Sequence, residues 1–361
     1  MRYAQEMPRR TLSDAFDRKQ NSLNAIRLLL AIGVILGHSP LLAGKEFAWG
    51  EVGELRGQFW VDGFFAISGF LILGSWLANP SPRRYLRARA IRILPAFYVC
   101  LIVTAAVFAP IGILLSGTGQ PIYSFESLSY VLKNAALWMF QFDIAGSPSG
   151  IPYPGVWNGS LWTLFWEFLC YLAILAAGVA GLLRFRATVP LIFIASWIAL
   201  LASSADWVES ENVAIAARFG LMFSAGALVY QLTRKLPVSW PLVIGALAVA
   251  TASTLLPEYR LVAAPFLAYG LIGLGALANH KRLVLRNDFS YGMYIYAFPV
   301  QQLLVLLGLS ALPLFGFAIA SVAATLPLAA ASWFLVEKPL QKFKRRGGRL
   351  SKQAAPDAVR A

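Results

Sequence analysis

Apolar residues run along this chain in blocks of roughly twenty, separated by short polar stretches. Blocks of that length match helices that cross a hydrocarbon core of about 30 Å. The strict alternation expected of barrel strands is missing, and the runs are too long for it. The pattern predicts an all-α, polytopic transmembrane helical bundle of about ten spans. These are Ser22–Leu42, Phe59–Ala78, Ile91–Ser116, Leu161–Leu183, Val189–Ser204, Val213–Arg234, Val238–Leu256, Leu261–Ala278, Phe289–Leu309 and Ala311–Val336. A further apolar segment, Leu128–Phe140, is too short to span and is expected to lie in the interface or to re-enter.

Charge orients the pattern. One set of loops holds Arg83, Arg84, Arg87 and Arg89, then Arg184 and Arg186, Arg234 and Lys235, Lys281 to Arg286, and the tail from Lys338. The alternate set holds few basic residues and also Asp206, Glu209 and Glu211. By the positive-inside rule the first set is cytoplasmic, and so are both termini. Residues 1–20 read as a cytoplasmic tail without a signal-peptide core, 21–340 as the membrane domain, and 341–361 as a polar, disordered tail whose basic start suits anionic lipid. Of the 361 residues 58% are hydrophobic and only 13% charged, about half the charged share of soluble domains. The net charge of +14 therefore reflects topology and does not imply nucleic acid. The longest outer loop, 117–160, is rich in Gly, Pro, Ser and aromatics (GSPSGIPYPGVWNGS). It is expected to be functional or mobile. Its Tyr and Trp can belong to a headgroup belt or stack on sugar rings.

Few groups can carry chemistry. The first span has two ionisable side chains, Arg27 and His38, eleven residues apart and on nearly the same helix face. The rise between them is about 16 Å. The topology places His38, Asp62 and Glu167 toward the outer side, and Arg27, the run RRYLRARAIR (Arg83–Arg92) and Glu337 toward the cytoplasm. A neutral histidine can act as general base with a carboxylate orienting it, and clustered arginines suit a phosphorylated ligand. Plainer readings stay open. Arg27 can snorkel to headgroups, His38 can pack, Asp62 can cap its helix, and Glu167 can be a structural partner. Glu337 can pair with Arg27 or with Arg89 and Arg92, and Ser68 suits close packing better than nucleophilic attack. Cys100 and Cys170 read as packing residues inside spans, and no CxxC, HExxH or other metal-ligand pattern is present. On residues alone, a proton-coupled transporter or flippase of a glycan or anionic small molecule fits as well as an enzyme.

The motifs, taken in order, resemble the acyltransferase 3 family of integral-membrane O-acyltransferases. Arg27 and His38 match its first-span pair. VDGFFAISGFLI (Val61–Ile72) matches its second span, and Arg92-Ile93-Leu94-Pro95 matches its RIxP. LWTLFWE (Leu161–Glu167) matches its LWxLxxE, SYGMYI (Ser290–Ile295) its SYxxYL, and EKP (Glu337–Pro339) its ExP. The likeness covers about residues 20–345. Where many members carry a later histidine this chain has Ala297, and it has no SGNH domain after the last span, so it looks like the stand-alone membrane form. The resemblance implies transfer of an acyl group, usually acetyl, from cytoplasmic acyl-CoA to a hydroxyl of a cell-surface or lipid-linked glycan. It also implies a multi-pass protein of a bacterial cytoplasmic (inner) membrane. Carried over by position, it implies a catalytic group of His38, Glu167 and Asp62. Arg27, Arg89, Arg92 and Glu337 would form the CoA-binding group. No metal and no permanently bound cofactor are expected.

Overall fold

Helices follow the apolar blocks. A computed structural model describes residues 10–46, 51–117 and 119–341. Among them regular structure is helical, apart from isolated β-bridges such as Thr11–Pro237. The order is α1 Leu12–Ala15, α2 Leu23–Ala43, α3 Glu51–Ala78, α4 Pro82–Ser116, α5 Phe125–Asn134 and α6 Thr163–Val179. Then come α7 Thr188–Ser204, α8 Glu211–Gln231, α9 Trp240–Leu255, α10 Arg260–Leu277, α11 Ser290–Leu306 and α12 Leu314–Gln341. Among the described residues six helices are long and apolar enough to cross a membrane: α2, α3 from Gly57 onward, α4, α8, α10 and α12. The apolar helices α6, α7 and α9 are shorter. Residues 1–9 and 342–361, which hold much of the two expected tails, lie outside the described residues.

Two boundaries differ from expectation in ways that matter. The helix α4 begins at Pro82, with proline in its first turn where no backbone donor is needed, so the arginine run is helical and continuous with the span. Arg, Leu and Ala are good helix formers and carry the helix through it. The helix α3 begins at Glu51, which puts Asp62 in its fourth turn and removes the helix-cap reading of that residue.

The chain forms two compact units, each from two separate stretches. The first comprises the chain up to Pro80 together with Phe165–Ser290. Here α3 is packed by α2, α8 and α10, with α7 on α8 and α9 on α10. Lipid tails are as apolar as leucine, so close backbone packing holds such helices together. Gly69 and Gly226 make this possible: a β-carbon on Gly69 would overlap the Phe223 carbonyl oxygen, and one on Gly226 the Ala66 carbonyl oxygen. Phe65 stacks on Phe219 at 4.0 Å in the same seam. Residues 10–16 are docked on this unit. The Leu12 and Ser13 amides donate to the Leu236 and Thr233 carbonyls, Leu12 is fully buried, and Phe16 packs edge-on against Phe70. Thr11 and Asp14 form a capping box that starts this turn.

The second unit comprises Ser81–Leu164 and the chain from Tyr291. Its α5 is inverted relative to a soluble helix. Ser129, Tyr130 and Asn134 are buried, while Phe125, Leu128 and Leu132 are exposed on one stripe. Such a helix suits the membrane interface, one of the two placements expected for this segment. The loop after it is pinned. Gln302 donates to the Tyr153 and Val156 carbonyls at 2.8 and 2.7 Å, and buried Asn158 donates to the Ile295 carbonyl at 2.8 Å. Trp157 is fully buried against Gly112. It is a core residue, neither a belt residue nor a sugar platform, because the loop folds inward on α11.

Candidate active site

The second-span motif explains itself residue by residue in the first unit. Asp62 is fully buried and is the hub of an ion cluster. It accepts from Arg218 Nε at 3.0 Å, from Arg260 Nε at 2.7 Å and from the Tyr259 hydroxyl. Arg260 also donates to Gln58 at 2.5 Å and pairs with Glu258 at 3.0 Å. Two cations against two carboxylates make the cluster neutral, as burial in a membrane protein requires. Six residues on, Ser68 donates to Glu167 at 2.8 Å, and Tyr171, one turn along α6, donates to the same oxygen at 2.5 Å. Two hydroxyls, from α3 and from α6 itself, thus converge on one oxygen of Glu167.

His38 is half-buried near the C-terminal end of α2. Its neighbour Gly37 marks the crossing of α2 with α3, since a β-carbon there would stand 2.8 Å from the Gly57 Cα. The two helices run antiparallel from this point. Along α2 to Arg27 the rise is about 15 Å, and along α3 to Ser68 about 16 Å. Measured along the helices, Ser68, the partner of Glu167, therefore stands about as far from this crossing as Arg27 does. The layer of His38 contains Gln58, with Asp62 one turn deeper.

Arg27 pairs with Asp288 at 2.9 Å and lies 5.9 Å from the Phe64 ring centre. Asp288 also accepts from Ser290 at 2.5 Å, and Asn24 donates to the Leu285 carbonyl at 2.9 Å. Sequence reasoning did not single out Asp288, Arg218, Tyr259 or Tyr171, and took Arg260 as a loop charge. The available signal was Arg218, a cation well inside a predicted span.

In the second unit Arg92 pairs with Glu337 at 3.2 Å and lies 5.5 Å from the Tyr291 ring centre. Glu337 is buried, accepts from Ser332 at 3.1 Å, and sits on a π-helical turn, Ser332–Glu337, within α12. Single π turns recur at functional sites. Of the partners open to Glu337 in sequence, the structure pairs it with Arg92 and gives Arg27 to Asp288. Arg89 is half-buried one turn before Arg92. Tyr291 donates to the Ile93 carbonyl at 2.9 Å, while Tyr294 donates to the Ser160 carbonyl at 3.0 Å and bonds Thr163. The SYGMYI element thus ties α11 to α4 and to the start of LWTLFWE.

A many-helix bundle with several long apolar spans and paired charges buried among them is a multi-pass membrane protein with internal polar chemistry. The chain belongs to the acyltransferase 3 family, whose model, described as an acyltransferase domain, matches residues 20–334. It is an acyltransferase. An "O-acetyl transferase" of Shigella phage Sf6 is 29% identical over 327 residues, covering 89% of this chain and 96% of the relative. "Nodulation protein 10" of Rhizobium leguminosarum bv. viciae is 26% identical over 363 residues, covering 90% and 94%. No solved structure matches the chain at a significant level.

Proposed function

We propose that the protein is an O-acetyltransferase of about ten spans with both termini cytoplasmic. In this reading it moves an acetyl group from cytoplasmic acetyl-CoA to a hydroxyl of a cell-surface or exported glycan, at a bacterial inner membrane. The observation that carries this reading is the family match over nearly the whole chain, with a relative of matching length named O-acetyl transferase. In this reading the residues share the work as follows. His38, at the α2–α3 crossing, takes the proton of the acceptor hydroxyl as its oxygen attacks the thioester carbonyl. CoA leaves as the thiol. Gln58, next to the α2–α3 crossing, bonds Arg260 of the Asp62 cluster, and in this reading the cluster supports His38. The deeper layer, Arg27 with Asp288 and Glu167 with Ser68 and Tyr171, lines the way from the cytoplasm and offers partners to the pantetheine arm. Arg89 and Arg92 hold the CoA phosphates, with Glu337 fixing Arg92.

The test is incubation of membranes containing the chain with radiolabelled acetyl-CoA and host glycan, wild type beside His38→Ala. Alkali-labile label should enter glycan with wild type and fall at least about a hundredfold with the variant, the span of general-base catalysis. Equal transfer by a variant present at the wild-type level would remove His38 from the chemistry.

A further inference from the structure

A polar cavity lies away from the residues of the candidate active site. It has a volume of about 650 Å³ and is walled by the docked N-terminal segment, the ends of α3 and α8, and the chain around Arg186. That volume is typical of a ligand site. Among the described residues four cations line it, Arg18, Arg186, Arg234 and Lys235, and no carboxylate does. The acids of the docked segment turn to its own backbone: Asp14 bonds Thr11, and Asp17 accepts from the Lys19 amide. Arg18 is aimed by a 2.9 Å bond to the Tyr230 hydroxyl, and the Arg186 loop is tied by Gln231 donating to the Arg186 carbonyl at 2.6 Å. Four cations held in one cavity call for an anion.

What kind of anion follows from the other walls. Leu77, 47% exposed and next to the last residue of α3, lines the same cavity, so the cavity opens at the end of a span, at headgroup level. Leu228 on α8 and Leu232 just after it border both this cavity and a second one of about 460 Å³ formed by α8, α9 and α10. The second cavity is apolar almost throughout, lined by Ala225, Val249, Pro265 and Phe266 among others, and a β-carbon on its Gly245 would meet nothing within 4 Å. A basic cavity beside an apolar groove, at the end of the spans, has the polarity of one molecule with a phosphate head and an acyl tail.

We propose that this is a binding site for an anionic phospholipid of the cytoplasmic leaflet. The headgroup phosphate lies among Arg18, Arg186, Arg234 and Lys235, and one acyl chain lies along Leu228 and Leu232 into the groove at Gly245. Binding would clamp the N-terminal segment onto α3 and α8, because Arg18 and Phe16 belong to the wall.

The full chain in nanodiscs that mix phosphatidylglycerol and phosphatidylcholine of the same acyl chains provides the test, with retained lipid read by native mass spectrometry. Wild type should retain phosphatidylglycerol at least about tenfold over phosphatidylcholine. Arg186→Gln/Arg234→Gln/Lys235→Gln should lower that preference about ten- to a hundredfold, at roughly fivefold per cation. The control Lys281→Gln/Arg282→Gln removes basic side chains outside the cavity and should keep the preference. Gly245→Leu, which favours helix, should reduce retention of both lipids and decides the acyl half even if the triple variant does not fold. Equal retention of the two lipids by wild type, an unchanged preference in the triple variant, or equal loss in the control would overturn the proposal. So would displacement of phosphatidylglycerol by inorganic phosphate or CoA that the triple variant abolishes, since the cavity would then bind a soluble phosphate.

Discussion

Asp62 shows what a single residue contributes and what a sequence reveals of it. A carboxylate in an apolar run announces itself, and so do Arg27, His38, Glu167 and Glu337. Their partners do not: Arg218 and Arg260 stand 156 and 198 residues from Asp62, and Asp288 stands 261 from Arg27. Pairing at that separation is fixed by helix packing, which local pattern cannot express. Asp62→Ala leaves two arginines buried without their shared carboxylate and should lower stability by about 3–5 kcal/mol, seen as a lower thermal midpoint in detergent. Tyr171→Phe removes one hydrogen bond from Glu167 and leaves Ser68. Stability should hardly change, while acetyl transfer should fall about three- to tenfold. Assaying purified Tyr171→Phe at its wild-type thermal midpoint separates the two effects, and full activity would detach Glu167 from catalysis.

Among the elements, helix positions were legible because a membrane span needs a long apolar run and little else supplies one. The seams between helices were legible only as small residues. Gly69 reads as close packing, and the structure supplies its partner, the Phe223 carbonyl. Gly69→Leu must push α3 off α8 and should destabilise by about 2–4 kcal/mol, or prevent a monodisperse product on size exclusion. The 117–160 loop, expected to be functional or mobile, is pinned near its C-terminal end. Its Tyr153 and Val156 carbonyls accept from Gln302, and its own Asn158 donates to the Ile295 carbonyl on α11, partners that local pattern gives no cause to join. The N-terminal turn carries a pH dependence. The Thr11 hydroxyl and then its backbone N–H bond the Asp14 carboxylate and hold its pKa below the usual value. A carboxyl held low adds stability while ionised, above its unfolded value, and loses it as pH falls through the folded value. The turn should therefore loosen below about pH 4. Hydrogen exchange at Leu12 and Ser13, corrected for the intrinsic rate, should speed up between pH 5 and pH 3, and Asp14→Ala should show the faster exchange at neutral pH.

At the scale of the molecule, the proposed topology gives each helix end a side, and that is tested in the intact membrane. A cysteine at Asp206 should react with an impermeant maleimide on intact cells, and one at Arg186 only after permeabilisation, in a background lacking Cys100 and Cys170. The reverse result would invert the path from donor to His38. The interleaving of the two units bears on biogenesis. The helix α4 leaves the ribosome early, yet its partners in its own unit, α11 and α12, follow only after all of Phe165–Ser290 has been made. At translation speeds of about 5–20 residues per second the wait is on the order of ten seconds. During that interval an arginine-bearing span sits in lipid without the glutamate that neutralises it. Newly made chain of this kind is a natural client for an insertase or chaperone that shelters half-finished helices, and a chain truncated before α12 should be a preferred substrate of membrane quality-control proteolysis.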